Sequence, residues 1–428
     1  MSDGPAPAAE PRRRLSRRQL LGAAGVGAAA GVVGGLGAGR ATAATPSAAA
    51  TSSFDFHGAH QGGIITPVQD RLHFAAFDLT STSRADLEQL LRTWTSAAAQ
   101  LTQGKPLGDD TPVPYDSPPI DTGEAVGLPP SRLTLTFGFG PTLFRGVDGA
   151  DRFGLAGRQP AALRRLPHFP ADDLEPTRSD GDLCVQACAD DPQVAVHAIR
   201  NLSRLAFGTA AMRWSQLGFG RTSSTSTDQS TPRNLFGFKD GTANLKAEQP
   251  AEVEDHVWVG PDDDPGAAWL AGGSYLVARR INMHIEPWDR TSLREQEAIV
   301  GRDRTEGAPL SGGTEFTEPN FEQAGRDAVP LIPLDSHVRL AHPSRNNGAR
   351  LLRRGYNFAD GNDALGRLDA GLFFLAYVRD PRTHYIPMQN TLSRDDAMME
   401  YLVHTGSALF AVPPGVQPGQ FVGQSLFG

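Results

Sequence analysis

Two blocks of this chain carry the same order of apolar periods, and that repetition restricts the folds open to it more than any other feature. In the first block, residues 71–79 read as a strand. Residues 84–102 read as a helix, with Leu87, Leu90, Leu91 and Trp94 at helical spacing and Ser83 placed to cap it. Residues 132–139 alternate and are rich in β-formers, and 183–189 make a third strand. A helix opens at Asp191-Pro192 and runs to about Ala206, and 211–217 supply a fourth strand.

A polar stretch of Thr, Ser, Asp, Gln and Pro at 222–232 then separates the blocks. Beyond it, 273–286 read as a long strand broken only by Arg279-Arg280, and 292–301 as a helix. Residues 371–378 are a strongly apolar central strand, and 392–405 a last helix. The order strand-helix-strand-strand-helix-strand is the ferredoxin-like pattern. The expected fold is therefore α+β: two ferredoxin-like halves, 54–221 and 233–428, joined by a linker at 222–232. Their mainly antiparallel sheets would be flanked by helices in a barrel-like pairing.

The first 43 residues stand outside this pattern. Arg12, Arg13 and Arg14 precede Ser16-Arg17-Arg18-Gln19-Leu20-Leu21, and no further charge appears until Arg40. Ala41-Thr42-Ala43 offers a small-x-small cleavage site. Paired arginines ahead of a mildly apolar, glycine-rich run read as a twin-arginine export signal, which implies a secreted, cell-envelope or periplasmic location. The alternative, a membrane anchor, is disfavoured by eight glycines between Gly22 and Gly39. Residues 44–53 read as a loose mature N-terminus.

Removing six arginines and two acids from a net charge of −8 leaves −12, which argues against a nucleic-acid partner. Nothing after residue 43 is long and apolar enough to span a bilayer. Cys184 and Cys188, four apart on one strand, would lie roughly 13 Å apart and cannot bridge, so they read as buried thiols.

Two segments carry the candidate chemistry. The first is Asn234-Leu235-Phe236-Gly237-Phe238-Lys239-Asp240-Gly241-Thr242-Ala243-Asn244. An acid held on a tight, partly apolar backbone suits proton exchange, yet Asp-Gly is also a common turn pair. The second runs Asp335-Ser336-His337-Val338-Arg339, with Arg353-Arg354-Gly355-Tyr356 following. A lone histidine there is open to a structural reading as well as a ligand one.

Together these segments resemble the dye-decolorizing peroxidase family. Gly237-Phe238-Lys239-Asp240-Gly241 is similar to its Gly-x-x-Asp-Gly motif, and the His337 and Arg353 segments resemble its haem-ligand and arginine segments. Further matching segments run from His60-Gln61-Gly62-Gly63 through Trp269-Leu270-Ala271-Gly272-Gly273 to Gly406-Ser407-Ala408-Leu409-Phe410, so the likeness covers nearly all of the mature chain. The resemblance implies one haem b in the C-terminal half, with His337 as proximal iron ligand and Asp396 as the acceptor for its other ring nitrogen. Asp395 is the rival acceptor.

It further implies Asp240 as the distal acid–base group and Arg353 as the distal cation, with Arg354 as the register alternative. Aspartate in that role implies best activity at acid pH. Asn244 is implied at the haem edge or as a turn former. Arg339, on an extended segment, would share a side with His337 and meet a propionate or an ion-pair partner. Phe374 would line the distal pocket, sharing its face with Leu372, or belong to the sheet core. The implied partners are hydrogen peroxide and dye, phenolic or other aromatic reductants, with surface Trp and Tyr as candidate relays. The chain is also similar to the deferrochelatase subgroup, which implies a second reading as a haem-handling protein with iron-uptake partners. Association into a homo-oligomer is compatible with ferredoxin-like sheets. A chlorite dismutase-like reading shares the architecture, but Asp240 in its glycine setting argues against it.

Overall fold

Short-range pattern becomes structure with little slippage in the N-terminal half. In the computed structural model, which describes residues 52–108 and 113–428, β1 is Arg71–Leu79 and α1 is Arg84–Leu101. Ser83 Oγ accepts from the Asp86 amide and so caps α1. β2 is Thr134–Phe139, β3 Leu183–Ala189, α2 Pro192–Leu205 capped by Asp191, and β4 Ala210–Arg221. The export signal read over 1–43 lies outside the described residues, as does most of 44–53.

The C-terminal half departs more. β5 is Ser274–Met283, followed by α3, Leu293–Val300, which Ser292 caps and left-handed Gly301 ends. A one-turn helix α4, His337–Leu340, precedes a strand in two pieces, β6 Leu352–Arg353 and β7 Tyr356–Asn362. β8 is Leu368–Val378. The helix expected at 392–405 lies earlier: α5 is Ile386–Asp395, and Leu402–Val412 is β9. Pro387 sits in the first turn of α5, where its missing N–H costs nothing.

Spatial order explains how two halves make one body. The first half-sheet runs β4-β1-β3-β2 and the second β9-β5-β8-β7, the same ferredoxin-like order twice. They join where Phe139 of β2 meets Ala411 of β9, and where Phe219 and Arg221 of β4 meet Asn357 and Tyr356 of β7. With β5 pairing both β9 and β8, the antiparallel ladders close into a barrel, which leaves no fully open sheet edge.

Alternation along β1 then sorts two cores. Leu72, Phe74 and Ala76 point into the barrel with Cys184, Cys188, Tyr356 and Tyr377, while Ala75, Phe77 and Leu79 pack under α1 and α2. Both cysteines are free and buried. The polar residues Thr222 to Ser226 between the halves are buried too. In the C-terminal half α4 and α5 stand off the outer sheet face, and the space between is a cavity of about 680 Å³. Among the described residues no helix is long and apolar enough to cross a membrane.

Candidate active site

The Asp240 loop is built by its glycines and aromatic anchors. Gly237 and Gly241 have φ of +82° and +87°, and a Cβ on Gly241 would come within 2.8 Å of Ser223 Cα. Phe236 stacks on Trp288 at 4.2 Å, Phe238 meets the same ring edge-on at 5.9 Å, and Trp288 Nε1 donates to the Phe236 carbonyl. The segment is thus a tight turn, and the turn delivers Asp240 to the cavity wall. Its side chain is 12% exposed. Arg353 Nη1 donates to Asp240 Oδ1 at 2.7 Å, and Asn234 Nδ2 donates to Oδ2 at 3.2 Å.

Strand alternation at β6 decides which arginine faces the cavity. Arg353 lines it, whereas Arg354 points into the barrel and donates to the carbonyl of Thr66 and to Gln69 Oε1. Asn244 does not line the cavity. Its Oδ1 accepts the Arg353 amide at 2.7 Å, and its Nδ2 donates to the Arg353 carbonyl at 2.9 Å and the Ser224 carbonyl at 3.0 Å. The expectation of an Asn244 contact at the haem edge is corrected accordingly: this amide splints the loop of the acid to the strand of the cation.

Across the cavity, His337 is the first residue of α4, after Ser336. Its Nδ1 lies 2.6 Å from Asp396 Oδ2, while Asp396 Oδ1 accepts the Met398 amide at 2.9 Å. Asp396 is buried and Asp395 is exposed. Burial lowers the His337 pKa, but the charge and hydrogen bond of Asp396 outweigh it and hold the imidazole above its ordinary value. Arg353 and Asp240 are close enough for their charges to act on the same ring. The imidazole keeps 34% of its surface and lines the cavity, and its Nε2 has no partner among the described residues.

Arg339 is a second correction. Residues 337–340 are helical, not extended, so two residues of advance turn the side chain away from the cavity. Its Nη1 donates to the Phe321 carbonyl at 2.7 Å and its Nη2 lies 3.7 Å from Glu322. Phe374 and Leu372 both line the cavity from β8, and Phe374 meets Tyr385 of the α5 N-cap at 6.0 Å between ring centres.

Sequence reasoning missed Glu315. It is buried in the wall beside Asp240, 2.5 Å from Lys239 Nζ and 3.1 Å from Thr242 Oγ1. Burial raises its pKa, but these donors more than reverse that and leave it low. It sits on an irregular loop with no periodic signal. His404 on β9 is also in the wall, its pKa held well down by burial and then by Arg279.

The donor set bears on what the cavity can hold. One imidazole nitrogen is fixed by a carboxylate and the other is unengaged, the arrangement of a metal-ligating histidine. Among the described residues no cluster of three or more His, Cys, Asp or Glu could hold a bare ion. An iron here would have to bring its remaining ligands with it, as a porphyrin does. A cavity of about 680 Å³, with apolar walls from β5, β8 and α5, is of cofactor size. The residues present fit haem.

Comparison with known proteins agrees. The family profile described as Dyp-type peroxidase, N-terminal, matches residues 61–220, and the C-terminal profile matches 231–417. The chain is 37% identical over 441 residues to the dye-decolorizing peroxidase of Thermobifida fusca, covering 97% of this chain and 98% of that one. It is 38% identical over 366 residues to the deferrochelatase of Escherichia coli K12, covering 85% and 84%. The crystal structure of a DyP-type peroxidase from Streptomyces coelicolor superimposes with a TM-score of 0.80 at 41% identity, covering 89% of this chain and 99% of that one.

Proposed function

Because this chain belongs to the Dyp-type peroxidase family, whose members are haem peroxidases, we propose that Asp240 and Arg353 assist peroxide cleavage in the cavity described above. The supporting observation is the 2.7 Å contact between Arg353 Nη1 and Asp240 Oδ1, in the wall of the cavity that His337 also lines. Haem b, held through His337, would supply the redox chemistry. Asp240 takes the proton from one peroxide oxygen and returns it to the other as the O–O bond breaks. Arg353 stabilises the negative charge on the departing oxygen. In sum, one peroxide takes up two electrons and two protons and becomes two waters. The electrons come singly from two aromatic donor molecules: dyes, phenols or related compounds.

Asp240→Asn in the haem-loaded protein tests this. The bimolecular rate with peroxide should fall by about 10²- to 10⁴-fold while haem stays bound. A rate within a few-fold of the parent protein would refute the assignment. His337→Ala should abolish the Soret band of a histidine-ligated ferric haem, and an unchanged band would exclude that ligand.

The likeness to a deferrochelatase supports a second reading, removal of iron from haem in an uptake system. Anaerobic incubation of the dithionite-reduced, haem-loaded protein with a ferrous chelator separates the two. Iron release that persists in Asp240→Asn favours the second. The paired arginines ahead of residue 43 support export by the twin-arginine route, and 54–221 and 233–428 are the proposed domains. N-terminal sequencing of the exported protein would check the cleavage site.

A further inference from the structure

Peroxide chemistry makes no use of the loop at the cavity mouth. Phe316 lines the cavity yet is 74% exposed. A phenyl ring left in water at a cavity mouth is unfavourable, and its neighbours hold it there. Glu315, one residue earlier, is buried and fastened to Lys239 and Thr242, and Arg302 Nη1 donates to the Glu315 carbonyl at 2.7 Å. The Thr317 amide donates to the Thr314 carbonyl at 3.0 Å, and the Thr314 amide to Thr317 Oγ1 at 2.9 Å, closing the turn on both sides. With Glu315 tied inward, Phe316 stands outward on a braced frame.

The charge most open to solvent in the cavity wall is a carboxylate. Glu318 also lines it, and its side chain is 80% exposed. One of its oxygens lies 2.9 Å from His342 Nε2, and the other has no partner among the described residues. The cations of the wall are committed: Lys239 to Glu315, Arg350 to Glu252 and Arg353 to Asp240. Arg302 donates to the Gly307 and Glu315 carbonyls, is buried, and keeps a charge that interacts with Glu315 and Glu318. What meets an incoming molecule is an aromatic face beside an exposed carboxylate that His342 holds by one oxygen, on a chain of net charge −8.

We propose that the Phe316–Glu318 turn is the landing platform for the reducing substrate, and that it selects flat aromatic donors that are neutral or cationic over anionic ones. The donor ring stacks on Phe316 and its ammonium group, or a hydroxyl, turns to Glu318. The assignment gains its biological sense from the peroxidase reading, but the binding it claims is independent of turnover.

The test is therefore an equilibrium titration of the haem-loaded protein without peroxide. Two phenols with the same ring are compared, one bearing a trimethylammonium group and one a sulfonate. The cationic phenol should bind more tightly, and the difference should shrink in high salt. Phe316→Ala should weaken both by about two- to tenfold, and Phe316→Trp should restore them. Glu318→Lys should reverse the charge preference. Equal affinities in Phe316→Ala and the parent, or no charge preference in the parent, would overturn the platform. Failure of the peroxidase reading shows up elsewhere, as an unreactive parent protein in the peroxide assay while phenol binding persists.

Discussion

Asp396 serves two masters with two oxygens. Oδ1 holds the Met398 amide and Oδ2 holds His337, so Asp396→Asn can keep the first contact while removing the negative charge beside the imidazole. The expected result is a haem affinity lower by about 10- to 100-fold and a raised iron reduction potential, with thermal stability nearly unchanged. Haem transfer to apomyoglobin and a spectroelectrochemical titration measure the two. Asn244 gives a different signature. Asn244→Ala strips two hydrogen bonds from the Arg353 backbone, so it should cost about 1–3 kcal/mol in urea unfolding and also slow the peroxide reaction. Loss of stability without loss of rate would show that the splint does not orient Arg353. That Asp240, His337 and Arg353 would line one cavity was legible from the consecutive motif residues around them, whereas the choices of Asp396 over Asp395 and Arg353 over Arg354 needed the geometry. Arg339 was misplaced because one turn of helix at 337–340 leaves no periodic trace, and Glu315 was invisible because its partners lie 76 and 73 residues away.

At the scale of elements, the same contrast holds between local and tertiary signals. β1, α1, β3 and α2 follow their sequence patterns within a residue or two, since each is strongly apolar and the two helices open on a capping Ser or Asp. The stretch 392–405 misled because Met398, Leu402 and Val403 imitate a helical face. Pairing with β5 makes the second part of it a strand. The break between β6 and β7 was equally silent, and it matters for the site. Gly355 lies between Arg353, which faces the cavity, and Tyr356, which faces the barrel interior. A Cβ there would meet Thr222 Oγ1 at 2.7 Å and Leu372 Cδ1 at 3.2 Å. Gly355→Ala should therefore push β6 off its register, costing about 1–3 kcal/mol in stability and lowering the peroxide rate constant more than Ala at an exposed β7 position such as Asn362. Denaturant unfolding and stopped-flow absorbance on both variants check it.

At the scale of the whole molecule, pH acts on the barrel, which carries buried histidines that resist protonation. His73 on β1 is buried, its Nδ1 has no hydrogen-bond partner, and burial pulls its pKa from 6.5 down to about 4. His404 is displaced in the same direction. In the unfolded chain His73 takes up its proton near pH 6.5, while the folded barrel refuses it until about pH 4. Between those values the unfolded state binds more protons, so stability falls as pH falls. The contribution is fully present above pH 6.5, is lost progressively down to about pH 4, and does not change further below that. For His73 alone the loss is about 3 kcal/mol. Urea unfolding at pH 7 and pH 4.5 should show most of that fall, and His73→Leu should flatten it by a comparable amount. If His73→Leu kept the full pH dependence, the acid lability would have to come from other groups. If the prediction holds, the acid side of the turnover profile will be time-dependent: the protein's half-life under assay will shorten below pH 6.5, and the apparent optimum will move to lower pH as the assay is made shorter.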